Sequence, residues 1–272
     1  MRALCVIALP AGLAVAGCSG TGGPEAGAPA LVGESGRVRV ELGRGAAPDL
    51  TVGIHFLRYR DLDGAAAELL AGGDQVPPEG CLPPAGPPAL DDLLALLPES
   101  ARIEHLDAGE ITVLFDGLSV SAAPARLPAL SPWVVGVEYD DQRARGGASL
   151  PEDAGEVLVN GLGGAEIGPF EASLSPAPGA PTARLDGDLV VTWPAGPDEI
   201  IVTVDGPAGP VCRAATRAAA SPILRIPAGL LPHTEPLTVT VERIRRAPLG
   251  APGLARAELE VVVRDVLTAS SL

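Results

Sequence analysis

Apolar and polar positions alternate with a period of two along much of this chain. Arg37-Val38-Arg39-Val40-Glu41-Leu42 alternates strictly, and Thr51-Val52-Gly53-Ile54-His55-Phe56 places Val52, Ile54 and Phe56 on one face. A strand turns successive side chains to opposite sides, so this period predicts half-buried strands. Further runs at 111–115, 118–122, 133–139, 156–160 and 170–175 continue the pattern. Between the first two of these stands Asp116-Gly117. That pair predicts a hairpin, because a type I′ turn needs positive φ at both central residues.

The alternation breaks twice. Between 61 and 100 it vanishes, and paired prolines at 77/78, 83/84 and 87/88 make a sheet implausible, which marks an insertion. Inside it Leu90, Leu93, Leu94 and Leu97 keep helical spacing, with Asp91 and Asp92 in the first turn and Pro98 as a stop. One short amphipathic helix is expected there, its leucines capping an open end of the sheet core. Residues 65–71, closed by Gly72-Gly73, form a second helical candidate. The other break is Ser175-Pro176-Ala177-Pro178-Gly179-Ala180-Pro181, which reads as a stiff connector and sets a domain boundary. Beyond it, strands are expected at 189–193, 199–204, 211–215, 223–226, 237–244 and 257–266, with turn signals at Asp186-Gly187 and Asp205-Gly206. The expected fold is all-β, with two β-sandwich-like domains at 36–175 and 182–272, the first carrying the 61–100 insertion with its short helix.

Leu189-Val190-Val191-Thr192-Trp193-Pro194 followed by Glu199-Ile200-Ile201-Val202-Thr203-Val204 resembles the B and C strands of fibronectin type III and related immunoglobulin-like modules. The resemblance implies that Leu189, Val191 and Trp193 face inward, with Trp193 as the core tryptophan. No tyrosine follows Tyr139, so the tyrosine corner of that architecture is missing.

The amino-terminal segment has a different grammar. Met1-Arg2 supplies a minimal positive charge, residues 3–17 are apolar, and the run ends at Val15-Ala16-Gly17-Cys18 before Ser19-Gly20-Thr21-Gly22-Gly23-Pro24. It is shorter than the ~20 apolar residues of a membrane-spanning helix and is flanked like a signal peptide. The four residues ending at Cys18 resemble the lipobox of bacterial lipoproteins. That resemblance implies removal of residues 1–17 and acylation of Cys18, with residues 18–35 as a flexible tether. Two or more acyl chains give stable anchoring where one gives only marginal binding. Export and lipid anchoring to the cell envelope are therefore expected, and Ser19 in place of Asp favours sorting to an outer membrane.

Composition narrows the partners. All 19 basic residues are arginine and the formal net charge is −15. Nucleic acid is an improbable partner for such a chain, because phosphate binding needs a basic face. The same field opposes anionic head groups, so the lipid must hold the chain at the bilayer against it. Of four cysteines, Cys5 leaves with the signal and Cys18 takes the lipid. Cys81 and Cys212 remain as one even pair in an exported chain, bonded to each other or separately buried.

Motifs with chemistry are sparse. His55, His105 and His233 lie far apart without metal-ligand spacing, and neither a nucleophile elbow nor a Walker loop occurs. Gly161-Leu162-Gly163-Gly164 reads as a turn. Asp61-Leu62-Asp63-Gly64 has a fragment of a calcium loop, which makes Asp61 and Asp63 weak calcium candidates; Asp140-Asp141 and Asp186-Gly187-Asp188 are other acidic turns. Arg243 and Arg245 should share a strand face and pair with Glu258 or Glu260. Phe56, Phe115, Phe170 and Trp193 fall on strand runs that want a core, which leaves Tyr59, Trp133 and Tyr139 for any sugar-stacking platform. No cofactor is expected. The function expected is a non-catalytic binding or structural module of the envelope, its partner the membrane through the lipid and another envelope protein. The alternative is a hydrolase of envelope or extracellular polymer using paired carboxylates or a triad assembled in space.

Overall fold

In a computed structural model, residues 32–44, 49–70, 81, 97–127, 134–140, 142–145, 155–207, 209–217, 222–232 and 236–270 are described. The chain opens with β1 (Val32–Arg44) and β2 (Asp49–Arg60), followed by the helix α1 (Gly64–Leu70). Next come β3 (Arg102–His105), β4 (Ile111–Phe115), β5 (Leu118–Ala122), β6 (Ala125–Arg126), β7 (Val134–Glu138) and β8 (Gln142–Arg145). Then follow β9 (Val157–Gly161), β10 (Phe170–Leu174), β11 (Thr182–Asp186), β12 (Asp188–Thr192), β13 (Glu199–Gly206) and β14 (Gly209–Arg217). The last elements are β15 (Ile223–Ile226), a single 3₁₀ turn (Ala228–Leu230), β16 (Leu237–Pro248) and β17 (Ala257–Ala269). The fold is all-β with one short α-helix among the described residues.

A long sheet runs in the order β14-β13-β16-β17-β1-β2-β3-β7-β6, with β8 also pairing β2. Two smaller sheets, β10-β9-β4-β5 and β11-β12-β15, lie against it. The first covers the half built around β1 and β2. There Val38, Val40, Leu42, Val52 and Phe56 of the long sheet meet Ile111, Val113, Phe115, Val157 and Phe170. The second covers β13, β14 and β16. There Leu189, Val191, Trp193 and Ile226 meet Val202, Val204, Val239 and Val241. Both cores follow from period-two patterning, which gives each strand one apolar face. The predicted turn at Asp116-Gly117 has φ of 44° and 78°, as a type I′ turn requires.

The join between the halves departs from expectation. β1 pairs with β17 in parallel, from Gly36 opposite Ala257 to Arg44 opposite Asp265, so one sheet crosses the proposed boundary. β17 serves both cores: Leu259 and Val261 belong to the first and Ala269 to the second. Residues 31–272 form one compact unit, within which the two sandwich-like halves each keep their own apolar core. The expected connector marks where the chain leaves one small sheet for the other, but Pro176 and Ala177 are buried. The first strand also begins inside the segment 18–35, expected to be a tether. β1 starts at Val32, because the glycines that interrupt the alternation are needed where aromatic rings of β2 lie close: a Cβ on Gly33 would fall 2.2 Å from the Tyr59 ring, and one on Gly36 2.6 Å from Phe56.

The insertion contributes α1, placed on the other face of β1 and β2. Asp63 starts it by accepting the Ala66 N–H at 2.8 Å, and Ala67 is its buried residue. Leu57, Leu62, Ala101 and Ile103 make a third apolar cluster, against which Tyr59, Leu70 and Leu97 pack. The helix expected around Leu90, Leu93 and Leu94 lies outside the described residues.

Candidate functional site

Polar side chains cluster at several places among the described residues, positioned by strand register. The first sits between α1 and the long sheet. Arg37 and His55 are register partners on β1 and β2, on the face away from the first core. Glu68 of α1 reaches both, at 2.9 Å from His55 Nε2 and 3.3 Å from Arg37 Nη2. Burial alone would push the Glu68 carboxyl up. The hydrogen bond and charge of His55, with Ser35 and Arg37 nearby, override it and hold the group at about 2. His105, opposite Leu57 on β3, is pushed below the ordinary histidine range by burial and then by His55. Glu68 thus stays a carboxylate over the physiological range, suited to tie α1 to the sheet and unsuited to donate a proton.

The second constellation lies in the seam between the two small sheets. Arg243 is 1% exposed and donates through Nη1 to the Pro178 carbonyl at 2.6 Å and through Nη2 to the Gly179 carbonyl at 2.8 Å and to Asp265 Oδ2 at 3.2 Å. Arg44 also donates to the Gly179 carbonyl, and Arg245 joins Asp198 at 2.7 Å while reaching the Ser175 and Pro176 carbonyls. Residues 175–179 are therefore strapped to the long sheet by three arginines. Desolvation pushes the Arg243 guanidinium down and the Asp265 carboxyl up, each countered by the other's charge. This corrects the pairing expected from sequence. Arg243 and Arg245 do share a face, but it is the one turned to the connector, whose carbonyls need donors. Arg246, on the opposite face, meets Glu260 at 2.8 Å and Glu258 at 3.9 Å and also pairs with Glu199.

On that opposite face Arg246, Glu260 and Arg39 form a ladder across β16, β17 and β1, with Arg39 Nη1 2.5 Å from Glu260 Oε1. Glu242 lies on the same face, its carboxyl raised by burial against the lowering influence of Arg39, Arg264 and Arg213. The third constellation surrounds Tyr139, which is 6% exposed. Its hydroxyl accepts from the Ala108 N–H at 2.8 Å and donates to the Gly109 carbonyl at 3.1 Å. Burial pushes that phenol up to about 12. Tyr139 is thus core and no sugar platform, and Tyr59 is packed under α1; Trp133 lies outside the described residues.

The other sequence candidates are scattered. The Asp63 carboxylate serves the helix start and Asp61 holds a left-handed turn with φ of 54°, so the calcium reading of that loop has no cage behind it. Asp188 accepts the Ala228 N–H at 3.1 Å. No cluster of three or more metal-ligating side chains occurs among the described residues. Cys81 and Cys212 are bonded to each other, tying the insertion to β14 at a Cα separation of 5.2 Å. Cys18, Asp141 and His233 lie outside the described residues. The described residues include an open hollow of about 680 Å³ at the β16–β17 turn, lined by Pro248, Pro252 and Arg256 among others, and one of about 310 Å³ beside Leu114 and Leu158. Neither is lined by a histidine or a cysteine, although Asp116, Ser119 and Glu156 stand around the second. Among the described residues no helix is long and apolar enough to cross a membrane.

No family model matches the chain, and no curated protein matches it. Among solved structures, the Fcho1 Mu homology domain of Danio rerio with bound Eps15 peptide is similar at 6% identity, over 89% of this chain and 97% of that one, with a TM-score of 0.24, and a likeness at that level carries no argument.

Proposed function

We propose that this chain is a lipid-anchored, non-catalytic binding or structural module of the cell envelope, held to its membrane through Cys18. The observation that carries the reading is where the polar groups go. The carboxylates and guanidiniums with displaced pKa values, Arg58, Glu68, Glu242, Arg243, Arg246 and Asp265, face opposite charges on neighbouring elements, and none lines either hollow described above. A catalytic centre would instead turn such groups toward a substrate. The strand orders β11-β12-β15 and β14-β13-β16-β17 support the fibronectin type III likeness of the second half, with Trp193 in its core. Such sandwiches serve as rigid display or spacer units across many unrelated proteins.

The anchor is tested by fractionating cells that express the wild type and Cys18→Ala. The wild type is expected in the membrane fraction, with Cys18 as its amino-terminal residue and a mass increased by acyl groups, and the variant in the soluble fraction. Membrane retention of Cys18→Ala, or an unmodified amino terminus elsewhere in the wild type, overturns the reading.

A further inference from the structure

We propose that the fold carries tension between its two ends, acting as a mechanical link. This rests on the reading of an amino-terminal anchor only for the source of the load; the mechanical property itself follows from topology.

β1 and β17 are the first and last strands of the described chain, and they are neighbours running in the same direction. Their ladder covers nine residue pairs, from Gly36 with Ala257 to Arg44 with Asp265. A pull on the chain before Val32 draws β1 toward its own start. A pull on the chain beyond Ala269 draws β17 toward its own end. For parallel neighbours these directions are opposite along one axis, so the load falls on the whole ladder in shear. An antiparallel pair pulled from its adjacent ends would open one bond at a time. The evenly spaced bonds of a parallel ladder divide the load among them.

Side chains reinforce the same seam. Arg39 and Glu260, direct register partners, are bonded across it at 2.5 Å, and Glu260 is held from the far side by Arg246 of β16 at 2.8 Å. Arg44 and Asp265, also register partners, stand 3.8 Å apart at the end of the ladder. On the face away from Arg39 and Glu260, which Arg44 and Asp265 share, Val40, Leu42, Leu259 and Val261 are sealed in the first core. Each strand also has a second antiparallel partner, β2 along β1 and β16 along β17, and these must slide as well before either strand comes free. The Cys81–Cys212 bond further removes 131 residues of chain from what tension can extend.

The test is single-molecule stretching of the mature chain with handles at its two termini, compared with the same chain carrying handles at Val32 and Arg60. Those two residues face each other at the open end of the β1–β2 hairpin, so the second geometry peels it apart. Equal thermal unfolding of both labelled forms checks that the handles leave the fold intact. With terminal handles one release is expected, at a force several-fold above the peeling geometry. At about 3.6 Å per residue, the freed length should approach about 390 Å with the disulfide intact and about 850 Å after reduction. Glu260→Gln should lower the terminal rupture force and leave the peeling force nearly unchanged. Equal or lower force with terminal handles, or a first, weaker event freeing the 182–269 half alone, overturns the proposal. Neither outcome touches lipid attachment, which the fractionation of Cys18→Ala reads separately.

Discussion

The two cores and the seam between them are held by opposite means. Each core is apolar and closes by packing of two sheet faces, Phe56 against Phe170 on one side and Leu189 and Trp193 with Val202 and Val241 on the other. The seam buries Arg243, the largest side chain fully enclosed among the described residues. The difference comes from the connector. Residues 175–179 cross the long sheet without joining it as a strand, so their carbonyls have no ladder partners, and an unpaired buried carbonyl costs about 1–3 kcal/mol. A guanidinium can serve several such acceptors from one planar fork. Arg44, Arg243 and Arg245 therefore stand in for the missing strand, and Asp198 and Asp265 balance their charge.

The largest effect expected is from opening both cores together. Phe56→Ala with Leu189→Ala should cost about 5–10 kcal/mol, since a buried Phe→Ala costs about 3–5, a buried Leu→Ala about 2–5, and the two sites belong to separate cores. Each single variant should shift one common denaturant transition, because a single sheet joins the cores. Two resolved transitions would break the comparison in favour of independent domains. Next comes the seam. Arg243→Met leaves buried Asp265 with only the more distant Arg44 as a cation and takes the donor from the Pro178 carbonyl, and should cost about 3–5 kcal/mol, read from the urea midpoint. Adding Asp265→Leu should recover part of that loss. If it does not, the strap carbonyls rather than the charge pair dominate there.

The smallest effect concerns acid. Glu68 sits at about 2 in the fold against an ordinary 4.5, so the stability it contributes is complete above about 4.5 and drains away as pH falls toward 2. At 1.36 kcal/mol per pH unit this amounts to at most about 3 kcal/mol. Glu242 and Asp265 run the other way, because their raised carboxyls gain from protonation. Glu68→Gln is expected to flatten the acid limb of the stability profile between pH 4.5 and 2. An unchanged limb would show that the α1 tie adds nothing to the fold.

Local features of this molecule are legible in its residues, and distant ones are not. Asp116-Gly117 announces its turn because positive φ is a property of the dipeptide. Leu189, Val191 and Trp193 announce their face because the period of a strand is local. The β1–β17 ladder joins residues about 220 apart in sequence, and no local pattern encodes such a partner. The site shows the same division. Alternation places Arg243 and Arg245 together, but which way they turn depends on where residues 175–179 run. Tyr139 looks free by its polarity, yet its hydroxyl finds backbone partners at Ala108 and Gly109 that come from another part of the chain.

The parallel join of first and last strands also imposes an order of events on the newborn chain. One edge of β1 must wait, uncovered, until residues 257–269 have been synthesised, and closing so long a loop makes such a pairing slow. Throughout that delay the bare edge is open to association with other chains. A polypeptide made amino end first thus leaves its central sheet unfinished until residues 257–265 arrive to complete it.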